Sequence, residues 1–334
     1  MGIGIGSYVV GGAGVRFENL ENFNTMTDVA GSVGASNFNS LKPTVATKLL
    51  INEFGVGLGY QLTESWSLGA AWRGTLVQGS LQSASITPYD GSDPSSPKPA
   101  ALGNVTLSGL RAFATGGFRV GAQYQSQNFG VGFSLRNSQS FTADGTSSGS
   151  VEMGTASFPT PRDITGGAVS ISNTFPMAMG VGGYIKLSDT LTLSPEVTFT
   201  QYSANQTLDI EGSFLLPTEF SVAEKALPDV PQNWKDQYNY RLGLEYHSND
   251  QLTFRGGYVA TTAVVPAAFA RATFSTPALA HTFLLGAGYR FSAFVLDVAG
   301  EFSTASGSGT NEFGREGTFG TQAFSVHTGL KFNF

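Results

Sequence analysis

The side chains able to do acid–base or nucleophilic chemistry are few and scattered. The 334-residue chain has three histidines and no cysteine. His247 falls beside the polar turn "HSND", His281 ends an alternating segment on its aromatic-bearing side, and His327 sits mid-segment on the opposite side. No serine with an orienting partner stands beside any of them, so no nucleophile–base–orienter triad is predicted. Neither a His-Glu-x-x-His motif nor a carboxylate cluster of metal-binding spacing occurs. Without cysteine there is no disulfide, thiolate zinc site or thiol catalysis. The expectation is a non-enzyme with no metal and no cofactor.

A second set of residues carries charge rather than reactivity. Arg241, Glu245, Arg255, Arg290, Asp297, Glu301, His327 and Lys331 all fall on the residue parity opposite to the aromatic rows. Mixed signs on facing strands either pair and stiffen a wall or form a polar constriction that steers a carboxylate or polar head group. A third set is apolar. The stretch 211–235 reads as a loop, yet it contains Phe214, Leu215, Leu216 and Phe220. Such a loop either caps a barrel mouth or captures a hydrophobic ligand, and these four are the candidate ligand-binding residues.

The elements that position these residues are strands, because the dominant pattern has period two. Phe324, Val326, Thr328, Leu330 and Phe332 oppose Ser325, His327, Gly329 and Lys331. Tyr240, Leu242, Leu244 and Tyr246 oppose Arg241, Gly243, Glu245 and His247. Trp66, Leu68, Ala70 and Trp72 oppose Ser67, Gly69, Ala71 and Arg73. About twelve strands are predicted, near 3–15, 44–62, 66–84, 109–125, 129–142, 165–186, 190–208, 236–247, 251–262, 280–291, 293–304 and 321–334. Short connections at 63–64, 126–128, 188–189, 248–250 and 292 alternate with long polar ones near 18–42, 85–108, 143–164, 209–235, 263–279 and 305–320.

Composition narrows the class. Glycine supplies 43 of 334 residues, well above the usual ~7%. Charged residues are 13%, about half of the ~25% of soluble domains. A helical membrane protein needs about 18 consecutive apolar residues, and the most apolar stretch, 283–300, is broken by Arg290 and Asp297. Disorder is excluded by 12% aromatic and 41% hydrophobic content. A net charge of -6 argues against a nucleic-acid partner. The start, "MGIGIGSYVVGGAGVRF", has no basic segment before its apolar residues and does not read as a signal peptide, so either a leader has been removed or the chain begins inside the fold.

These observations predict an all-β chain folded as one transmembrane antiparallel up-and-down β-barrel over 1–334, with short periplasmic turns and long extracellular loops. A soluble sandwich would put its charge outside and its aromatics in a core. A propeller would show a repeat of about 40–50 residues. Here the greasy rows alternate with small and polar ones, which suits lipid outside. Tyr60, Trp66, Tyr124, Tyr246 and Tyr289, near the short turns, suit the interfacial girdle.

The second half also resembles a known family. The segments "FPMAMGVGGYIKLSDTLTLSPEVTFTQYSANQTLDI" (175–210), "NWKDQYNYRLGLEYHSNDQLTFRGGYVATTAVVP" (233–266), "LLGAGYRFSAFVLDVAGEFS" (284–303) and "TGLKFNF" (328–334) are similar to the FadL/TodX-type outer-membrane transporters of long-chain fatty acids and hydrocarbons. In the first half "YQLTESWSLGAAW" carries the likeness. The resemblance implies passive transport of hydrophobic compounds across the cell outer membrane, with the lipid bilayer, hydrophobic small molecules and the outer-membrane insertion machinery as partners. Phe334 resembles the aromatic C-terminus that this machinery recognises. Family members have a fourteen-stranded barrel plugged by an N-terminal hatch with an Asn-Pro-Ala motif. No Asn-Pro-Ala occurs here, and residue 1 falls at what resembles the third family strand. That leaves a truncated chain or a twelve-stranded hatchless relative. Two other functions stand beside transport: a structural or surface-interaction barrel with a closed lumen (adhesin or phage receptor), and a general porin.

Overall fold

A computed structural model describes residues 1–19, 41–87, 101–153, 160–217, 222–270, 277–310 and 316–332. Apart from two short 3-10 turns, the regular structure is antiparallel strand. The first half contains β1 (Gly2–Phe17), β2 (Val45–Gln61), β3 (Trp66–Thr87), β4 (Ala101–Gln125), β5 (Phe129–Arg136), β6 (Gln139–Met153), β7 (Arg162–Ile164), β8 (Ala168–Phe175) and β9 (Ala178–Lys186). The second half contains β10 (Leu191–Thr200), β11 (Thr207–Pro217), β12 (Val222–Ala226), β13 (Val230–Pro231), β14 (Gln237–His247), β15 (Leu252–Thr261), β16 (Ala280–Arg290), β17 (Phe294–Thr310) and β18 (Glu316–Phe332).

Eighteen strand segments stand where about twelve were expected. The difference comes from breaks partway up the wall. β5 and β6 both pair with β4 and form one stave. β8 and β9 continue each other beside them, and β10 and β11 form the next stave. With those halves joined, and the short β7, β12 and β13 set aside, the wall is an up-and-down succession of staves from β1 to β18. Among the described residues β1 pairs with β2 alone and β18 with β17 alone, so a seam separates them.

Each break would leave backbone groups without ladder partners, which hydrocarbon does not tolerate. Polar side chains stand in. Asn137 accepts from the Phe118 N–H through Oδ1 at 2.7 Å and donates through Nδ2 to Gly116 O at 3.0 Å. Asn205 Nδ2 donates to Thr174 O at 2.9 Å, and Arg136 Nη2 to Pro176 O at 3.3 Å. Across the last break the Gln201 N–H donates to Met177 O at 2.9 Å.

Strands also extend into stretches expected as loops. β6 continues to Met153, β17 to Thr310, and β11 runs to Pro217 and folds back on β12. Their Ser, Thr and Gly content reads as loop, but the ladder uses backbone groups that every non-proline residue carries. The short turns lie where the sequence puts them. Asn249 Oδ1 accepts from the Gln251 and Leu252 N–H groups at 2.9 and 2.8 Å, and Thr63 Oγ1 accepts from the Trp66 N–H at 3.0 Å.

The alternating apolar rows are exposed as a band around the wall, among them Phe54, Leu68, Val120, Phe133, Val181, Leu242, Phe254, Phe283 and Phe302. At the short-turn end they close with aromatic pairs. Trp66 and Tyr124 have ring centroids 5.1 Å apart, Phe291 and Phe294 4.5 Å. No helix of the described residues is long and apolar enough to cross a membrane. Leu242→Arg, in the middle of β14 on this band, is expected to destabilise the barrel by ~2–4 kcal/mol. Guanidinium unfolding after refolding into bilayers checks it; a change inside experimental error would mean that this face does not meet lipid.

Candidate functional site

The face opposite the lipid band encloses the interior, and it is layered. At the short-turn end it is made of small residues. Gly57, Gly59, Ser67, Gly69, Gly121, Gly132, Gly180 and Gly182 line a cavity of about 830 Å³ with Arg119, Glu196 and Thr198. Gly182 leaves room there for the Glu196 side chain, which a Cβ would approach to 3.0 Å.

Above this cavity β4 changes parity. The β3–β4 register shifts between Arg73↔Gly117 and Thr75↔Ala114, so β3 keeps 69, 71, 73, 75 and 77 on its inner face while β4 passes from 121, 119 and 117 to 114, 112 and 110. The bulge is satisfied from outside: Trp72 Nε1 donates to Thr115 O at 2.6 Å. Beyond it the inner face is apolar. Val77, Leu107, Leu110, Ala112, Ala143, Val169, Ile171, Ile210 and Leu227 form a buried core, with Phe141, Phe175 and Phe214 packed on it. This corrects the expectation that small and polar residues line the inside throughout. Alternation assigns two faces to a strand, and a bulge exchanges them partway along.

Between the two layers lies a charged belt. Glu53 of β2 is 2% exposed and accepts a hydrogen bond from Tyr8 Oη. Arg73 of β3, also 2% exposed, places Nη1 3.4 Å from Glu53 Oε2. Arg119 Nη2 is 3.8 Å from Glu53 Oε1. Thr75 Oγ1 donates to Gln139 Oε1 at 3.1 Å, and Arg73 Nη2 approaches the same oxygen at 3.4 Å. Gly117 makes room for this: a Cβ there would stand 3.1 Å from Arg73 Nη2 and 2.9 Å from Gln139 Oε1. The sequence analysis singled out none of these belt residues. Glu53, Arg73 and Arg119 each lie on the inner parity of their strand, and that parity was the signal available.

The eight charged candidates of the second half lie on β14 to β18, as three separate groups with Lys331 apart from them. Glu245 Oε2 accepts from Arg255 Nε at 2.6 Å, Arg255 Nη1 donates to Asp297 Oδ1 at 2.6 Å, and His247 Nε2 is 3.1 Å from Glu245 Oε1. Gly288 lies under this chain of pairs, where a Cβ would meet Arg255 Nη1 at 3.0 Å. Arg255, Asp297 and Arg290 line a basin of about 580 Å³ at the short-turn end with Asp189 and Asn249. Arg241 pairs instead with Glu196, which the sequence reading omitted, and donates to Thr198 Oγ1 at 2.6 Å. Glu301 is 3.3 Å from His327 Nε2. Lys331 is exposed opposite Val295. These pairs run along the wall: Arg241–Glu196, Arg255–Glu245 and Glu301–His327 join neighbouring strands, Arg255–Asp297 spans β16, and His247–Glu245 lies within β14. His281 Nδ1 lies 2.7 Å from Tyr258 Oη, so the three histidines are on three separate strands.

Of the four apolar candidates, Phe214 packs on the buried core, Leu215 is 41% exposed and its backbone bridges to Thr165, and Leu216 pairs with Ala223 in the β11–β12 hairpin. Phe220 and the C-terminal Phe334 lie outside the described residues.

The buried and open pairs differ in energy. Removing one partner of a buried pair leaves an uncompensated charge, so Glu53→Gln is expected to cost ~3–5 kcal/mol. Glu245→Gln breaks a half-exposed pair and is expected to cost ~0.2–1 kcal/mol. Paired denaturation curves of the two variants check the ranking, and equal costs would mean that the belt is wet.

Comparison with known proteins places this architecture. The first solved structures it matches are a Pseudomonas aeruginosa FadL homologue (TM-score 0.64, 17% identity, 85% of this chain and 67% of that one) and, from P. putida, the toluene transporter TodX (0.67, 16%, 99% and 78%). The Ralstonia pickettii toluene transporter TbuX gives 0.67 at 20% identity over 99% and 77% of the two chains. At such identities the likeness is one of fold. No curated protein matches the chain. The family model described as outer membrane protein transport protein (OMPP1/FadL/TodX) matches residues 19–332, and the chain belongs to that family of outer-membrane β-barrel transporters.

Proposed function

We propose that this barrel passes long-chain fatty acids or hydrocarbons across the outer membrane without an energy source. The observation that carries the reading is the layered interior: an apolar outer half leads through one charged belt to a small-residue cavity. A general porin needs a continuous wet lumen, and an apolar core fits that poorly. The apolar β11–β12 hairpin, with Leu215 exposed above Phe214, is the capture surface in this reading. The whole of 1–334 acts as one barrel domain, delivered to the membrane by the insertion machinery through its C-terminal strand.

Proteoliposomes carrying the protein are expected to take up radiolabelled oleate or toluene faster than empty liposomes. Phe214→Ala together with Leu215→Ser is expected to slow uptake several-fold. Uptake equal to that of empty liposomes would remove the transport reading. The packed outer core supports a second reading, a closed surface-interaction barrel, and absent uptake together with absent bilayer conductance would favour it.

A further inference from the structure

The segment that follows β15, residues 262–270, does not leave the wall as a free loop. Its stem is tied to β14 and the residues just before it. The Thr262 N–H donates to Tyr238 O at 2.9 Å, Thr262 Oγ1 accepts from the Tyr238 N–H at 2.8 Å, and Val264 O accepts from the Lys235 N–H at 2.8 Å. Val264 and Val265 follow, 7% and 2% exposed. The chain then makes a 3-10 turn, Ala267–Phe269, which passes β16 and lies against β17.

The contact is made on the inner face of β17. Gly309 shares the parity of Asp297 and Glu301, and the place its Cβ would take is already filled by Ala267. A side chain at 309 and the turn in this position exclude each other. The two attachments of the segment differ in kind. Hydrogen bonds hold the stem, but among the described residues none joins the turn to β17. The turn's own bonds are local, from the Phe269 N–H to Pro266 O at 3.0 Å and from the Ala270 N–H to Ala267 O at 3.2 Å. Residues 263–270 read Ala-Val-Val-Pro-Ala-Ala-Phe-Ala, apolar throughout. The seat is therefore a dispersion and hydrophobic contact. A hydrophobic molecule arriving at the long-loop end competes for that contact and leaves the stem bonds intact. An arm bonded at one end and seated by contact at the other has the construction of a lid.

We propose that residues 262–270 form a gate strap, which narrows the outer mouth of the barrel while seated on Gly309 and leaves that seat when a hydrophobic molecule enters. The inference rests on the transport reading for the passage that the strap controls.

The test uses the full chain, which has no cysteine of its own, in proteoliposomes with radiolabelled oleate as the probe. Ala267→Cys with Gly309→Cys locks the strap, because a disulfide holds the two Cβ atoms ~3.8 Å apart. Oxidation of this pair is expected to lower oleate uptake several-fold, and dithiothreitol to restore it. Unchanged uptake when gels show the link complete overturns the gate. Gly309→Val does the opposite and fills the seat. In an Ala267→Cys background it is expected to raise the labelling rate of that thiol by a membrane-impermeant maleimide several-fold, with uptake at least as fast as in the parent. An unchanged labelling rate, or slower uptake by a variant that keeps its heat-modifiability on gels, overturns the seat; if Gly309→Val does not fold, the disulfide pair decides. Oleate alone is also expected to speed labelling of Ala267→Cys, a readout that needs no transport. If no form takes up oleate while oleate still speeds labelling, the transport reading falls and the strap stands. If both are absent, the strap falls.

Discussion

In hydrocarbon a peptide N–H or C=O finds no solvent partner, and the rest of this structure depends on that constraint. It explains why a chain with 43 glycines and modest hydropathy is largely strand in its described residues: with no helix long and apolar enough to span, the inter-strand ladder satisfies the backbone groups regardless of side chain. It also explains where polar side chains are found in the wall. Asn137 and Asn205 stand at the ends of broken strands and donate to stranded carbonyls, as Trp72 does at the β3–β4 bulge. These are repairs to the ladder, and each sits at the level where the interior changes character. The seam between β1 and β18 is the remaining place where edge groups meet no ladder partner among the described residues.

The breaks and bulges are therefore coupled to the lumen. A regular strand crossing the membrane would present one kind of inner face from end to end. The register shifts between β3 and β4 let β4 present glycine below and alanine and leucine above, beside Val77 of β3. Charge accumulates at the junction because the belt residues flank the shift: Arg73 is its last inner residue below and Thr75 the first above. Glycine has two uses at this level. Gly117 makes space for the Arg73–Gln139 contact and Gly288 for the Arg255–Asp297 pair. At these two positions the space the glycines leave is what the neighbouring charges occupy.

Much of the wall was legible in the sequence. The lipid-facing rows of β2, β14, β16 and β18 follow strict alternation, and all five short turns fall at the polar breaks between apolar rows. Three things were not legible, each for a physical reason. The broken staves escaped because Asn137 and Pro176 interrupt the ladder without interrupting the hydrophobic pattern. The outer extensions of β6 and β17 escaped because Ser/Gly-rich alternation carries no contrast between faces. The belt escaped because its members, Glu53, Arg73 and Arg119, are single charges on three different strands. Only the registers of β2 with β3 and of β3 with β4 bring them to one height.

Registers also separate the two charged regions by kind. On β14 and β15 the arginines have acids close by: Arg241 has Glu196 on the adjacent β10, and Arg255 has Glu245 on the adjacent β14 and Asp297 across β16. Those charges neutralise one another at the open short-turn end, where water screens what remains. On β3 to β5 the ladder sets arginine against glycine and arginine against arginine, with a single glutamate for three guanidiniums. Balanced half-exposed pairs need nothing further to be stable, so they stiffen the wall. A buried group such as Arg73 is a different object, because removing its partner leaves an uncompensated charge in the wall. The two regions therefore differ in solvent: the pairs of β14 to β17 are half-exposed, and the Glu53–Arg73 pair of β2 and β3 is buried.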